Sequence, residues 1–162
     1  TIIRVFGASG AGKSAIAKAV AELLGARRAV RVPGDAILVP ADGPLDAYWQ
    51  RPLSCDWPLL TDVLALPDGT VTGVPEFDFE RCACVSTTGG REVIMRPVRV
   101  VDTLLPYPEA DLRVHVSAPD DLRRERITAR DVVWGSRVID RWEHLEQTQR
   151  VDPSAGVFAT NA

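Results

Sequence analysis

An α/β fold with a parallel sheet flanked by helices is the architecture this sequence predicts, on three observations. Strand-like and helix-like segments alternate along the chain. A glycine-rich turn joins the first strand to the first helix. Acidic residues fall at the carboxyl ends of strands, where such sheets bind their ligands. At 162 residues and 46% hydrophobic, the chain has room for a single domain with a full core.

The elements follow from local pattern. Residues 2–6 (IIRVF) are β-branched and aromatic, which predicts a strand. Residues 14–24 (SAIAKAVAELL) carry apolar side chains at helical spacing, and Gly25 is a stop signal. Residues 28–32 read as a second strand, ending at Pro33-Gly34-Asp35. Residues 40–55 are turn-rich and read as a surface connection. Asp56 is placed to cap a helix running to Leu66, with Pro58 in its first turn. Pro67-Asp68-Gly69 is a turn. Alternation in 77–81 and 82–85, then Thr88-Gly89-Gly90, then 91–95, predicts a β-hairpin. Residues 97–105 (PVRVVDTLL) predict a buried parallel strand, and 112–116 another. Residues 119–133 and 136–149 read as charged helices, and 151–162 as a loose tail.

The turn after the first strand is Gly7-Ala8-Ser9-Gly10-Ala11-Gly12-Lys13-Ser14, which spells G-x-x-x-x-G-K-[ST], the phosphate-binding P-loop. Its glycines let the backbone wrap a polyphosphate with successive N–H groups turned inward. The helix start adds partial positive charge, and the Ser14 and Ala15 amides belong to that first turn. Lys13 is expected to reach the β- and γ-phosphates, and the Ser14 hydroxyl to ligate Mg²⁺. The motif predicts binding of a nucleoside triphosphate and leaves the fate of the bound nucleotide open.

Composition narrows the classes. A net charge of −3 argues against nucleic acid or an anionic membrane as the main partner. No apolar stretch approaches the roughly 20 residues that span a bilayer. The opening TIIRVFGASG has no charged leader and no cleavage site, and it starts directly on a strand, so a few residues are expected upstream. Three cysteines, Cys55, Cys82 and Cys84, make no disulfide framework and fit a reducing cytoplasm. Cys82-x-Cys84 lacks a second pair to complete a metal site, so its thiols are expected on a strand or in the core.

The order of features over residues 2–145 resembles the uridine kinase and phosphoribulokinase branch of the P-loop small-molecule kinases. Four segments beyond the P-loop carry the resemblance: Val32-Pro33-Gly34-Asp35, Asp56-Trp57-Pro58, Val74-Pro75-Glu76-Phe77-Asp78-Phe79, and RITARDVVWGSR at 126–137. The resemblance implies a three-layer P-loop fold with a β-hairpin insertion within 40–96 and a helical lid near 124–140. It implies Asp35 as general base or hydroxyl orienter, and Asp102 as the strand-end acid on the metal. Asp56, Phe77 and Asp78 would face the acceptor. Arg126, Arg130 and Arg137 would close over the transferred phosphoryl group, Arg126 and Arg130 also touching nucleotide. A solvated, salt-bridged helix pair would use the same arginines, since 119–150 holds seven arginines and seven acids.

The chain departs from that family in places. Asp102-Thr103 stands where the family has glutamate and glycine, Gly135 replaces a lid arginine, Phe77 replaces a tyrosine, and Cys82 replaces a histidine. Loss of two polar groups on the acceptor side argues against pyrimidine nucleosides. Trp49, Trp57 and Trp134 could line a pocket or pack in the core. The expectation is a cytoplasmic, ATP- and Mg²⁺-dependent kinase acting on a hydroxyl of a small metabolite, with homo-oligomerisation left open. Two other readings stand beside it: a nucleotide-binding ATPase or switch acting on a protein partner, and a family member that binds nucleotide without transferring phosphate.

Overall fold

The computed structural model describes residues 1–34, 38, 56–74, 76–78, 83–85, 91–103, 110–130 and 157–160. Its elements are β1 (Ile2–Phe6), α1 (Lys13–Leu24), β2 (Ala29–Pro33), α2 (Trp57–Ala65), β3 (Val71–Val74), β4 (Glu76–Asp78), β5 (Ala83–Val85), β6 (Arg91–Ile94), β7 (Val98–Thr103), β8 (Leu112–Ser117), α3 (Asp120–Arg130) and β9 (Val157–Thr160). The main sheet is parallel throughout, in the order β2-β7-β1-β8-β9.

Each face of that sheet has its own cover. Side chains alternate along β1, so Ile3 and Val5 point one way while Arg4 and Phe6 point the other. Ile3 and Val5, with Val100 and Val116, pack on Ile16, Ala17, Val20, Ala21 and Leu24. Those five recur at the spacing of one helix face, which is why α1 lies flat on the sheet. On the opposite face, Val32 and Val101 pack on Leu60, Val63 and Leu64 of α2, and on Val74, Val93 and Met95 of the β3–β6 ribbon. The result is three layers: α1, sheet, and α2 with its ribbon.

Local signals act where they are expected. Gly25 ends α1, its N–H donating to the Ala21 and Glu22 carbonyls. Asp56 caps α2 by accepting the Leu59 N–H at 3.0 Å, with Pro58 in the first turn. The turn at Pro67–Gly69 is pinned from the sheet, because Arg99 donates to the Leu66 carbonyl at 2.7 Å and to the Asp68 carboxylate at 3.0 Å.

Two expectations need correction. Residues 83–85 and 91–94 do not pair with each other. β5 pairs with β4, and β6 pairs antiparallel with β3, a strand the sequence did not announce. Two antiparallel ribbons, β3–β6 and β4–β5, stand where one hairpin was expected. The tail is not wholly loose either: Val157–Thr160 forms the sheet's outer strand beside β8. A bare β8 would expose a row of unpaired N–H and C=O groups, and β9 takes them up. The expected helix at 136–149, the connection at 40–55 and the lid beyond Arg130 lie outside the described residues.

Candidate active site

The glycine-rich loop leaves the end of β1 and delivers the chain to the start of α1. Gly10 sits at φ 76°, and a Cβ there would come within 2.6 Å of the Arg123 carbonyl oxygen. Only glycine allows both that backbone angle and that approach. No side chain caps α1 at Gly12, and the Ala15 N–H turns back to the Gly12 carbonyl at 3.1 Å, so the helix start faces the loop with its partial positive charge uncapped by a side chain. Lys13 is 7% exposed, and its Nζ donates to the Ala8 carbonyl at 3.0 Å, which holds the ammonium against the loop.

The next residue reaches across to the neighbouring strand. Ser14 Oγ donates to Asp102 Oδ2 at 2.7 Å. Asp102 lies next to the end of β7, in register with Val5 of β1 and Pro33 of β2, and is 2% exposed. Parallel pairing thus carries an acid 88 positions away to the first turn of α1. A hydroxyl and a carboxylate at this separation are hard oxygen donors of the kind Mg²⁺ takes, together with phosphate oxygens and water. Among the described residues no three His, Cys, Asp or Glu side chains gather into a metal-binding group. Ser14 and Asp102 offer two such donors, and phosphate oxygens and water would supply the rest of a Mg²⁺ shell.

Sequence reasoning missed three buried or half-buried arginines around the loop and its strand. Arg31 of β2 grips Asp102 with two bonds, Nε to Oδ1 at 2.8 Å and Nη2 to Oδ2 at 2.7 Å. Arg123 of α3 is 5% exposed; its Nε donates to the Ser9 carbonyl at 2.9 Å and its Nη1 to Asp120 at 2.8 Å. On the other sheet face, Arg4 is 2% exposed with its guanidinium 4.0 Å from the Phe6 ring centre. Phe6 in turn stacks on His115 at 5.2 Å. Burial, with Arg113 adding to it, pushes the Arg4 pKa down to about 10, so it stays charged at neutral pH. Burial also lowers the His115 pKa and favours neutral imidazole. No local pattern set Arg4, Arg31 or Arg123 apart from any other arginine on a strand or a charged helix.

The expected residues divide into groups. Gly7 to Ala15, Asp102 and Arg126 converge on one loop, Arg126 Nη1 lying 3.4 Å from the Gly10 carbonyl oxygen. Asp56 is at the start of α2, where its carboxylate serves as the cap. Phe77 is buried on β4, and Asp78 is half-buried at that strand's end. Asp35, Arg137, Gly135, Cys55, Cys82, Trp49 and Trp134 lie outside the described residues, as do the side chains of Arg130, Trp57 and Cys84.

Loop, helix, strand order and strand-end acid together define an α/β fold with a parallel sheet flanked by helices and a glycine-rich loop at the carboxyl end of its β1 strand. Solved structures agree at the level of fold. A protein from Silicibacter sp. TM1040, provisionally assigned as a fructose transport system kinase, is similar with a TM-score of 0.66 and 19% identity, over 98% of this chain and 89% of that one. The YGR205w protein is similar with a TM-score of 0.58 and 13% identity, over 91% of this chain and 76% of that one. No family model and no curated protein matches the sequence.

Proposed function

We propose that this chain is an ATP- and Mg²⁺-dependent kinase that phosphorylates a hydroxyl of a small metabolite, in the manner of the uridine kinase and phosphoribulokinase branch. The observation that carries the reading is the 2.7 Å bond between the P-loop hydroxyl of Ser14 and the strand-end carboxylate of Asp102. That pairing is what a metal–triphosphate site needs and what a merely tight β-to-α turn does not.

The residues divide the work. The loop amides from Gly7 to Ala15 and the Lys13 ammonium bind and orient the phosphates. Ser14 and Asp102 would hold Mg²⁺, which when bound offsets charge on the β- and γ-phosphates. Asp35 takes the proton of the acceptor hydroxyl as its oxygen bonds to the γ-phosphorus and the bond to the bridging oxygen breaks, releasing ADP. Asp35 is two positions beyond Pro33, which pairs with Asp102, so its place in the chain suits that role. Arg126, Arg130 and Arg137 supply cations toward the transferred group. Asp56, Phe77 and Asp78 form the acceptor side.

A provisional sugar-transport kinase among similar structures supports including ketohexoses with nucleosides, pentoses and vitamin precursors as candidate acceptors. No helix among the described residues is long and apolar enough to cross a membrane. The test is ADP release from Mg·ATP over uridine, cytidine, pentoses, fructose, glycerate and pantothenate. One compound should accelerate turnover, and Lys13→Ala and Asp35→Asn should both abolish it. Acceptor-independent hydrolysis that Asp35→Asn leaves unchanged would overturn the reading.

A further inference from the structure

Arg31 is a side chain near this site that the phosphoryl-transfer reading does not use. It stands on β2, in register with Val100 and therefore on the α1 face of the sheet. Its guanidinium meets Asp102 as a two-bond fork, the geometry that matches a carboxylate best. Ser14 shares one of the same oxygens, so both carboxylate oxygens of Asp102 are held by protein donors. The Asp102 carboxylate is 3% exposed and the Arg31 side chain 25% exposed. Arg31 also lines an open cavity of about 640 Å³ between α1, β2 and β6.

We infer that Arg31 is a positioning residue of the metal site, and that it decides when a divalent cation enters. The inference rests on the kinase reading for the identity of the site. The fork fixes the Asp102 carboxylate against Ser14 before any cation arrives. It also offsets the negative charge of Asp102, the carboxylate that Ser14 and Arg31 share. A bare cation gains little from a neutralised carboxylate and a hydroxyl. A cation carried by a nucleotide's phosphates brings its own negative charge and completes the site. Metal and nucleotide are therefore admitted together.

Mn²⁺, followed by the paramagnetic signal of the free ion, is the probe. Wild-type protein is expected to bind Mn²⁺ weakly alone and well with ADP. Arg31→Gln is expected to bind Mn²⁺ alone about tenfold more tightly or better, through loss of a unit charge beside the carboxylate. Adding Asp102→Asn should remove that gain. Arg31→Lys retains the charge and should exclude free Mn²⁺ as the wild type does. A folded Arg31→Gln protein that binds Mn²⁺ no better than wild type overturns the inference, because a purely structural clamp would change melting temperature and not metal affinity. Should that variant fail to fold, the wild type alone decides: Mn²⁺ binding as tight without ADP as with it, and lost in Asp102→Asn, overturns the inference equally. Failure of the wild type to bind ADP would count against the kinase reading, whereas the Mn²⁺-only measurements need neither nucleotide nor acceptor.

Discussion

The P-loop side and the insertion between α2 and β6 are built on opposite principles. Around the loop, buried and half-buried polar side chains grip the backbone or one another: Lys13 on Ala8, Arg123 on Ser9, Ser14 and Arg31 on Asp102. The insertion is stabilised by apolar contact instead, through Leu60, Val63, Leu64, Val74, Val93 and Met95. Its polar residues cap and pin, as Asp56 and Asp68 do. A buried polar network loses much when one member is removed, because its partners are left unsatisfied. An apolar cover with polar trim tolerates exchange. A phosphate site therefore tolerates little sequence change, while the cover next to it can be altered at small cost.

Two glycines test that difference most strongly. Gly10 and Gly69 both have positive φ, at 76° and 87°. A Cβ at Gly10 meets the Arg123 backbone, whereas at Gly69 it meets nothing within 4 Å. Gly69→Ala should cost about 1 kcal/mol, the backbone penalty alone, and lower Tm by roughly 2–4 °C. Gly10→Ala should cost at least about 2–3 kcal/mol and remove nucleotide binding, since loop and α3 must part. Equal melting shifts for the two, with ADP affinity retained in both, would erase the contrast.

A middle-sized effect is expected at the cap. Asp56→Ala should destabilise by about 1 kcal/mol, seen as a shift of a few degrees in thermal melting, and Asp56→Ser should recover most of it. A rise in acceptor KM that Asp56→Ser does not recover would place the carboxylate in the acceptor site as well.

The smallest effect lies beneath the loop, where His115 stacks on Phe6. Its folded pKa is below 6.5 because burial disfavours the cation. Above pH 6.5 both folded and unfolded chains hold it neutral, and its contribution is fully present. As pH falls below 6.5 the unfolded chain takes up the proton first, so stability declines toward the lower folded pKa. Melting measured from about pH 7.5 to 5.5 should show a decline that His115→Gln makes shallower. An unchanged slope would mean that the imidazole titrates alike in both states.

The candidate site was legible where chemistry is local. Lys13 and Ser14 sit side by side in a spaced motif, and the apolar run before Asp102 marks a strand ending in an acid. Arg123 and Arg31 were not legible, because each looks like any arginine on a charged helix or a short strand until its partner 114 or 71 positions away is known. Phe77 and Asp78 illustrate the same limit on the acceptor side. Alternation placed them on a strand, but β5 as their partner depends on which backbone comes to lie alongside.

By itself the sequence determined the loop, both helix caps, the face that α1 lays on the sheet, and the alternation of strands with helices. These arise from backbone preference and from periods of 2 and 3.6 residues, which act over a turn or two of chain. Tertiary structure alone decided that β3 pairs with β6, that β9 closes the sheet edge, that Gly10 must clear α3, and that Arg31 holds Asp102. Each depends on which distant backbone or charge comes to lie alongside, and no local period encodes that.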